Sequence, residues 1–209
     1  PSSEVGHPSS IPDTLHFMKK QKVFVDANIL FSKTLMDWLF FLREENSGMF
    51  QLISTQDVFS EVLYNMRKNN PRAPGIRVSR RLELMKKCMD SIVSDFPGGL
   101  DFSGVDKHDY HAHAAATSQE ADFILTQDRP AHFTSNPDNE IYEIITPDDF
   151  FILVSDSNPS CLLPIVQKQL EYWQGHPNQQ QLDDALIHAR CPAFSGRVNT
   201  VLRQLARLP

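Results

Sequence analysis

Apolar residues fall along this chain in two kinds of block. Short unbroken runs read as buried strands, and longer stretches with apolar residues three and four apart read as amphipathic helices. The first run is "KVFVDANIL", Lys22 to Leu30, where four of the five residues from Val23 to Ala27 are apolar. Asp26 interrupts it, and a carboxylate at the end of a core strand loses hydration that something else must replace. Residues 34–46 then read as a core helix, and "FQLIS" as a short strand or an approach to one. Residues 55–67 form a helix with Val58, Phe59, Val62, Leu63 and Met66 on one stripe. After the breaker "NNPRAPG", Val78, Leu82, Met85, Met89 and Ile92 predict a helix over 77–93.

Residues 106–120 predict a helix whose Ala114, Ala115 and Ala116 let it lie close to a sheet. "ADFILTQD" is a second buried strand ending in Asp, and "EIYEII" a third. Strands alternating with helices define an α/β fold with a mainly parallel sheet. Beyond Thr146 the pattern is helical: 147–154, 159–174, 182–189 and 193–207, with "GHPNQQQ" as a loop.

A chain of 209 residues, 41% hydrophobic, buries one sizeable core with an appendage. The expected division is a leader at 1–17, set aside because "MKK" from Met18 resembles a start, a main α/β domain at 18–154, and a C-terminal helical extension at 155–209. No apolar run approaches the roughly 20 residues of a membrane span, and the first residues lack the basic and apolar regions of a secretory signal. Cys88, Cys161 and Cys191 are odd in number and widely spaced. Neither a disulfide framework nor a zinc ribbon follows, and a reduced, cytoplasmic protein is expected.

The formal net charge of −6 does not advertise a nucleic-acid binder, but its distribution is uneven. "MRKNNPRAPGIRVSRRLELMKK", Met66 to Lys87, holds eight basic residues and one acid. This makes a cationic strip on an acidic body. Arg77, Arg80 and Lys87 fall opposite the apolar stripe and are the expected phosphate contacts.

Two buried strands end alike, at Asp26 and Asp128. Functional groups in open parallel sheets collect at the carboxyl ends of the strands, so neighbouring strands would put both acids on one rim. A single such Asp is commonly a turn former or helix cap. Glu61 flanks its helix's apolar stripe with Asn65 one turn on, and Asp109 opens the Ala-rich helix. Separately these are a solvated acid and a first-turn acid. Together, four converging carboxylates would repel, and a cation would relieve them. Oxygen ligation suits Mg²⁺ or Mn²⁺, ions that support in-line phosphodiester hydrolysis.

In their order and intervals, "VFVDANIL", "SEVLYNM", "DYHAHAAA" and "ADFILTQD" resemble the four acidic blocks of PIN-domain nucleases, most closely the VapC-type toxins of toxin–antitoxin pairs. The resemblance runs from Lys22 to Phe150. It implies a PIN-like α/β/α sandwich, Mg²⁺- or Mn²⁺-dependent cleavage of single-stranded or loop RNA, a homodimer, and inhibition by a small antitoxin protein. It assigns Asp26, Glu61, Asp109 and Asp128 as catalytic metal ligands and Asn28 and Thr126 as groups supporting them; Asn65, one helical turn from Glu61, is expected to support the site as well. Many relatives have adjacent acids before the Ala-rich helix; here Asp106 and Asp109 are separated by "KH", and Asp106 is the alternative to Asp109.

Other signals compete. "HDYHAH" suggests zinc, but His111 and His113 diverge around a helix by about 200°. These histidines are left as rim or substrate contacts. "FVDAN" resembles the nucleophile strand of haloacid-dehalogenase-type phosphatases, yet Asn28 stands where their second Asp is needed. "TPDDF" reads as a helix start, and Trp38 and Trp173 as core. A PIN-like fold without catalysis, binding RNA or an antitoxin, is the alternative from another class. Four intact acids argue against it.

Overall fold

Five parallel strands form one sheet in the order β3-β2-β1-β4-β5. They are β1 (Gln21–Val25), β2 (Phe50–Thr55), β3 (Ser91–Val93), β4 (Phe123–Leu125) and β5 (Glu143–Ile145). The computed structural model describes residues 20–173 and 180–207. The expected leader and most of the "GHPNQQQ" loop therefore lie outside the described residues.

β1 is central because it can be buried on both faces: Val23, Phe24 and Val25 are fully enclosed. Phe24 pairs with Ile53 of β2 on one side and Ile124 of β4 on the other. Chain order reverses at this point, since β1 leads to β2 and β3 in one direction and the chain returns to β4 on the opposite flank. That is the topological switch point, where a crevice opens at the strands' carboxyl ends.

The crossovers are α1 (Ala27–Phe31) and α2 (Lys33–Glu45), then α3 (Gln56–Asn69) and α4 (Gly75–Lys87), then α5 (Tyr110–Ser118). Right-handed crossovers place the return helix on the face opposite the others, which completes an α/β/α sandwich. Local chemistry sets the helix starts. The hydroxyls of Ser32 and Thr55 accept from Leu35 N and Val58 N, and these residues cap α2 and α3. Ser32, rather than Thr34, begins the first long helix.

The helix expected over 77–93 divides: α4 ends at Lys87, and residues 91–93 are the edge strand β3. Met89 and Ile92 kept a helical spacing although they sit beyond the helix. "FQLIS" is a full strand, extended to Thr55. The segment before α5 begins as a single 3₁₀ turn at Lys107–Asp109.

α6 (Pro147–Ser157), α7 (Leu162–Trp173), α8 (Leu182–His188) and α9 (Pro192–Leu205) follow the sheet. α6 runs through the expected boundary at 154. The C-terminal helices share the sheet's apolar cluster rather than forming a second one. Phe194 of α9 meets Trp38 of α2 edge-on at 5.0 Å and Phe151 of α6 at 5.1 Å. The paired acids of "TPDDF" do more than begin α6. Thr146 caps α6, while Asp148 accepts from Ala193 N and Phe194 N at the start of α9. Trp38 is enclosed, and Trp173 is partly buried against the core. Cys88, Cys161 and Cys191 are free thiols, and no helix among the described residues is long and apolar enough to cross a membrane.

Candidate metal centre

Asp26 leaves β1 at the switch point, only 5% exposed. Its Oδ1 accepts from Ala27 N at 2.6 Å, and it caps the short α1. Its Oδ2 accepts from the Thr126 hydroxyl at 2.7 Å. The Asn28 amide nitrogen lies 2.9 Å from Asp26 Oδ2, 3.0 Å from Thr126 Oγ1 and 3.0 Å from Asp128 Oδ2. Asn28 Oδ1 in turn accepts from Gln127 N at 3.1 Å, and Thr126 Oγ1 accepts from Asp128 N at 3.0 Å. The ends of β1 and β4 are thereby tied into one hydrogen-bonded rim. Asp128 stands three residues past the end of β4 and is positioned by these contacts, not by the strand.

The remaining expected acids come from helices. Glu61, on the open side of α3, is hydrogen-bonded by the Asn65 side chain. Asp109 ends the 3₁₀ turn before α5.

The acids oppose one another's ionisation. Burial pushes the Asp26 carboxyl up to about 6; Thr126 and Ala27 pull it down, while Glu61 and Asp128 push it further up. Asp109 is raised to about 7, first by burial and then by Asp26, Asp106, Asp128 and Glu61. Glu61 is raised by desolvation of its carboxyl end and by Asp128, against the Asn65 bond. The four expected acids thus lie within one another's fields.

The closest set of donors is a different one. Asp106, Asp109 and His132 bring one ligand atom each within 4.8 Å of one another, and no three of the four expected acids do so among the described residues. Asp106 and Asp109 thus both reach the rim. Asp109 Oδ2 is buried without a hydrogen-bond partner, 3.5 Å from His132 Nδ1. A buried carboxylate oxygen left without a donor is costly, and a cation is the natural partner for it. The donor chemistry and this orphaned oxygen fit a divalent ion.

The histidines of "HDYHAH" separate. His113 is buried, with Nδ1 2.6 Å from the Tyr142 hydroxyl and its ring among Phe102, Tyr110 and Tyr142. It is a core residue, which corrects the expectation of a rim contact. His108 stays exposed, close enough to lower the Glu61 pKa.

Of the cationic strip, Arg77, Arg80 and Lys87 are exposed. Others are structural. Arg81 donates to Phe31 O at 3.1 Å, Arg67 to Ala73 O at 2.6 Å, and Lys86 to Gln56 Oε1 at 3.0 Å. Lys87 lines a groove with Phe40, Phe41, Arg43 and Met89 that contains none of the rim acids.

Two rim residues escaped the sequence reading. Gln127 donates through Nε2 to Ala189 O at 2.8 Å, joining the rim to the turn between α8 and α9. His132 carried no spacing signal, because only the fold brings it beside Asp106.

A parallel sheet whose switch point carries clustered acids defines a class, the α/β proteins that hold a cation at the strand ends. Within it, the chain belongs to the PIN-domain family: that family's profile matches residues 22–130, more than half of the chain. PIN domains are in general metal-dependent nucleases. Comparison with curated proteins and with solved structures returned no match.

Proposed function

We propose that this chain is a metal-dependent endoribonuclease that hydrolyses phosphodiester bonds of single-stranded or loop RNA, as the toxin of a toxin–antitoxin pair in the cytoplasm. The observation that carries the reading is electrostatic. Burial first, and then the charge of neighbouring acids, raises the carboxyl pKa of Asp26, Glu61 and Asp109 around a switch-point rim that also carries Asp128. Nothing in folding favours such repulsion unless a cation completes it.

Asp26, Glu61, Asp109 and Asp128 would hold Mg²⁺ or Mn²⁺. When bound, such an ion polarises a phosphate and lowers the pKa of a water. The chain's own groups supply the geometry. Asn28 and Thr126 hold Asp26 and Asp128 at fixed separation, Asn65 steadies Glu61, and exposed Arg77, Arg80 and Lys87 attract the RNA backbone. Tyr64, Ile76 and Leu84 leave an apolar surface on α3 and α4. This surface supports a homodimer or an antitoxin helix laid across it.

The test is cleavage of a labelled panel of unstructured RNAs, requiring Mg²⁺ or Mn²⁺ and stopping with EDTA. Absence of cutting by a metal-loaded chain would leave a binding module. Growth arrest on induction, relieved by co-expressing the neighbouring gene, tests the toxin role separately.

A further inference from the structure

His132 lies two residues past the end of the family match, yet it faces the two acids before α5. Its Nδ1 stands 3.5 Å from Asp109 Oδ2. That is long for a hydrogen bond, and Asp109 Oδ2 makes none. It is, however, an ordinary separation for two ligands of one ion, since donors about 2.0–2.2 Å from a metal stand roughly 3–4.4 Å apart. Asp106 completes a triangle of donors, all within 4.8 Å of one another.

The backbone builds this triangle from two distant segments. Val105 N donates to Ala131 O at 2.9 Å, and His132 N to Arg129 O at 2.9 Å. A Cβ on Gly104 would collide with the carbonyl oxygen of His132, so only glycine permits the approach. Asp106 Oδ1 accepts from His108 N at 2.9 Å, which fixes that carboxylate at the head of the 3₁₀ turn. The ring sits at the mouth of the rim with a quarter of its side chain exposed.

Resting on the metal-dependent reading above, we propose that His132 supplies a nitrogen ligand, with Asp106 and Asp109, to a divalent cation at this rim. The donor set is then mixed nitrogen and oxygen rather than carboxylate alone. Imidazole suits iron, nickel, copper and zinc best, but manganese, a transition ion, accepts a nitrogen ligand more readily than magnesium, which favours oxygen. The site should prefer Mn²⁺ over Mg²⁺, and His132 should be the residue that sets the preference.

Pulsed electron paramagnetic resonance of the wild-type chain loaded with Mn²⁺ reads the bond directly. Modulation from a coordinated imidazole nitrogen is expected, and it should vanish in His132→Ala and His132→Gln. Both variants should bind Mn²⁺ more weakly by roughly tenfold or more, with Mg²⁺ affinity far less changed. His132→Asp should shift the preference toward Mg²⁺. Bound Mn²⁺ without nitrogen modulation, or modulation that persists in His132→Ala, overturns the assignment and leaves the nuclease reading intact. A wild type that binds no Mn²⁺ at all overturns both.

Discussion

The side-chain amide of Asn28 donates to Asp128 Oδ2 at 3.0 Å, joining residues one hundred positions apart at the ends of two neighbouring strands. The same nitrogen reaches Asp26 Oδ2 at 2.9 Å, so one neutral donor holds two carboxylates that would otherwise separate.

Removing that donor should loosen both acids. Asn28→Ala should lower cleavage and metal affinity by roughly 10–100-fold, as loss of a supporting contact does in metal sites. It should also destabilise the fold by about 1–3 kcal/mol through unsatisfied buried acceptors. Isothermal titration with Mn²⁺ and thermal melts measure the two effects.

Asp26→Asn should act oppositely on fold and function. Cleavage should be lost with one ligand charge. Without metal the variant should gain on the order of 1–3 kcal/mol near neutral pH, because the buried charge and its repulsion disappear. Melts in EDTA compared with single-turnover cleavage would separate these outcomes. Glu143→Gln, on β5 outside the rim, is the control and should change neither.

Stability without metal should fall as pH rises. Asp26 moves from an ordinary 3.8 to about 6 on folding, and Asp109 from 3.8 to about 7. Between those values the folded chain binds more protons than the unfolded one, so its stability decreases with rising pH. The effect of Asp26 alone approaches about 3 kcal/mol above pH 6. Asp90 is held low by Arg43 and opposes this trend only below the usual carboxylate range. Denaturant melts in EDTA from about pH 5 to about pH 8 test the slope. Saturating Mn²⁺ should flatten or reverse it, because metal and proton compete for the same oxygens.

RNA engagement should depend on the outer face of α4. Reversing Arg77, Arg80 and Lys87 to Glu should weaken binding and flatten its salt dependence, since each phosphate contact releases counterions. Arg81→Ala should instead destabilise the fold, because its guanidinium is half-buried against Phe31 O. Filter binding at several salt concentrations distinguishes an RNA contact from a structural residue.

What could be read from sequence followed the strength of the local signal. β1 was legible because its apolar run is unbroken up to Asp26, and Asp26 stood out from an ordinary helix cap only because a second buried strand also ends in Asp. α3 was legible because its apolar stripe is unbroken, and the C-terminal helices because they repeat one period. β3 was not, since three residues cannot display a period of two and Met89 and Ile92 sustained the helical spacing of α4. Asp106 and Asp109 were read as a choice because the resemblance offers adjacent acids at one place, although residues three apart share a face in a 3₁₀ turn as in an α-helix. His132 and Gln127 were invisible for a further reason. Their partners, Asp109 and Ala189, lie far away in sequence and are reached only through the sheet's return crossover and the packing of α8 and α9.

The packing of α9 has a consequence for synthesis. Trp38 leaves the ribosome well before Phe194, which packs on it. Gln127 likewise waits for Ala189 before its side-chain bond can form. The rim cannot be finished until Ala189 has emerged. The acids of the rim, the last of them Asp128, are thus all synthesised before the residue that ties the rim to the turn between α8 and α9.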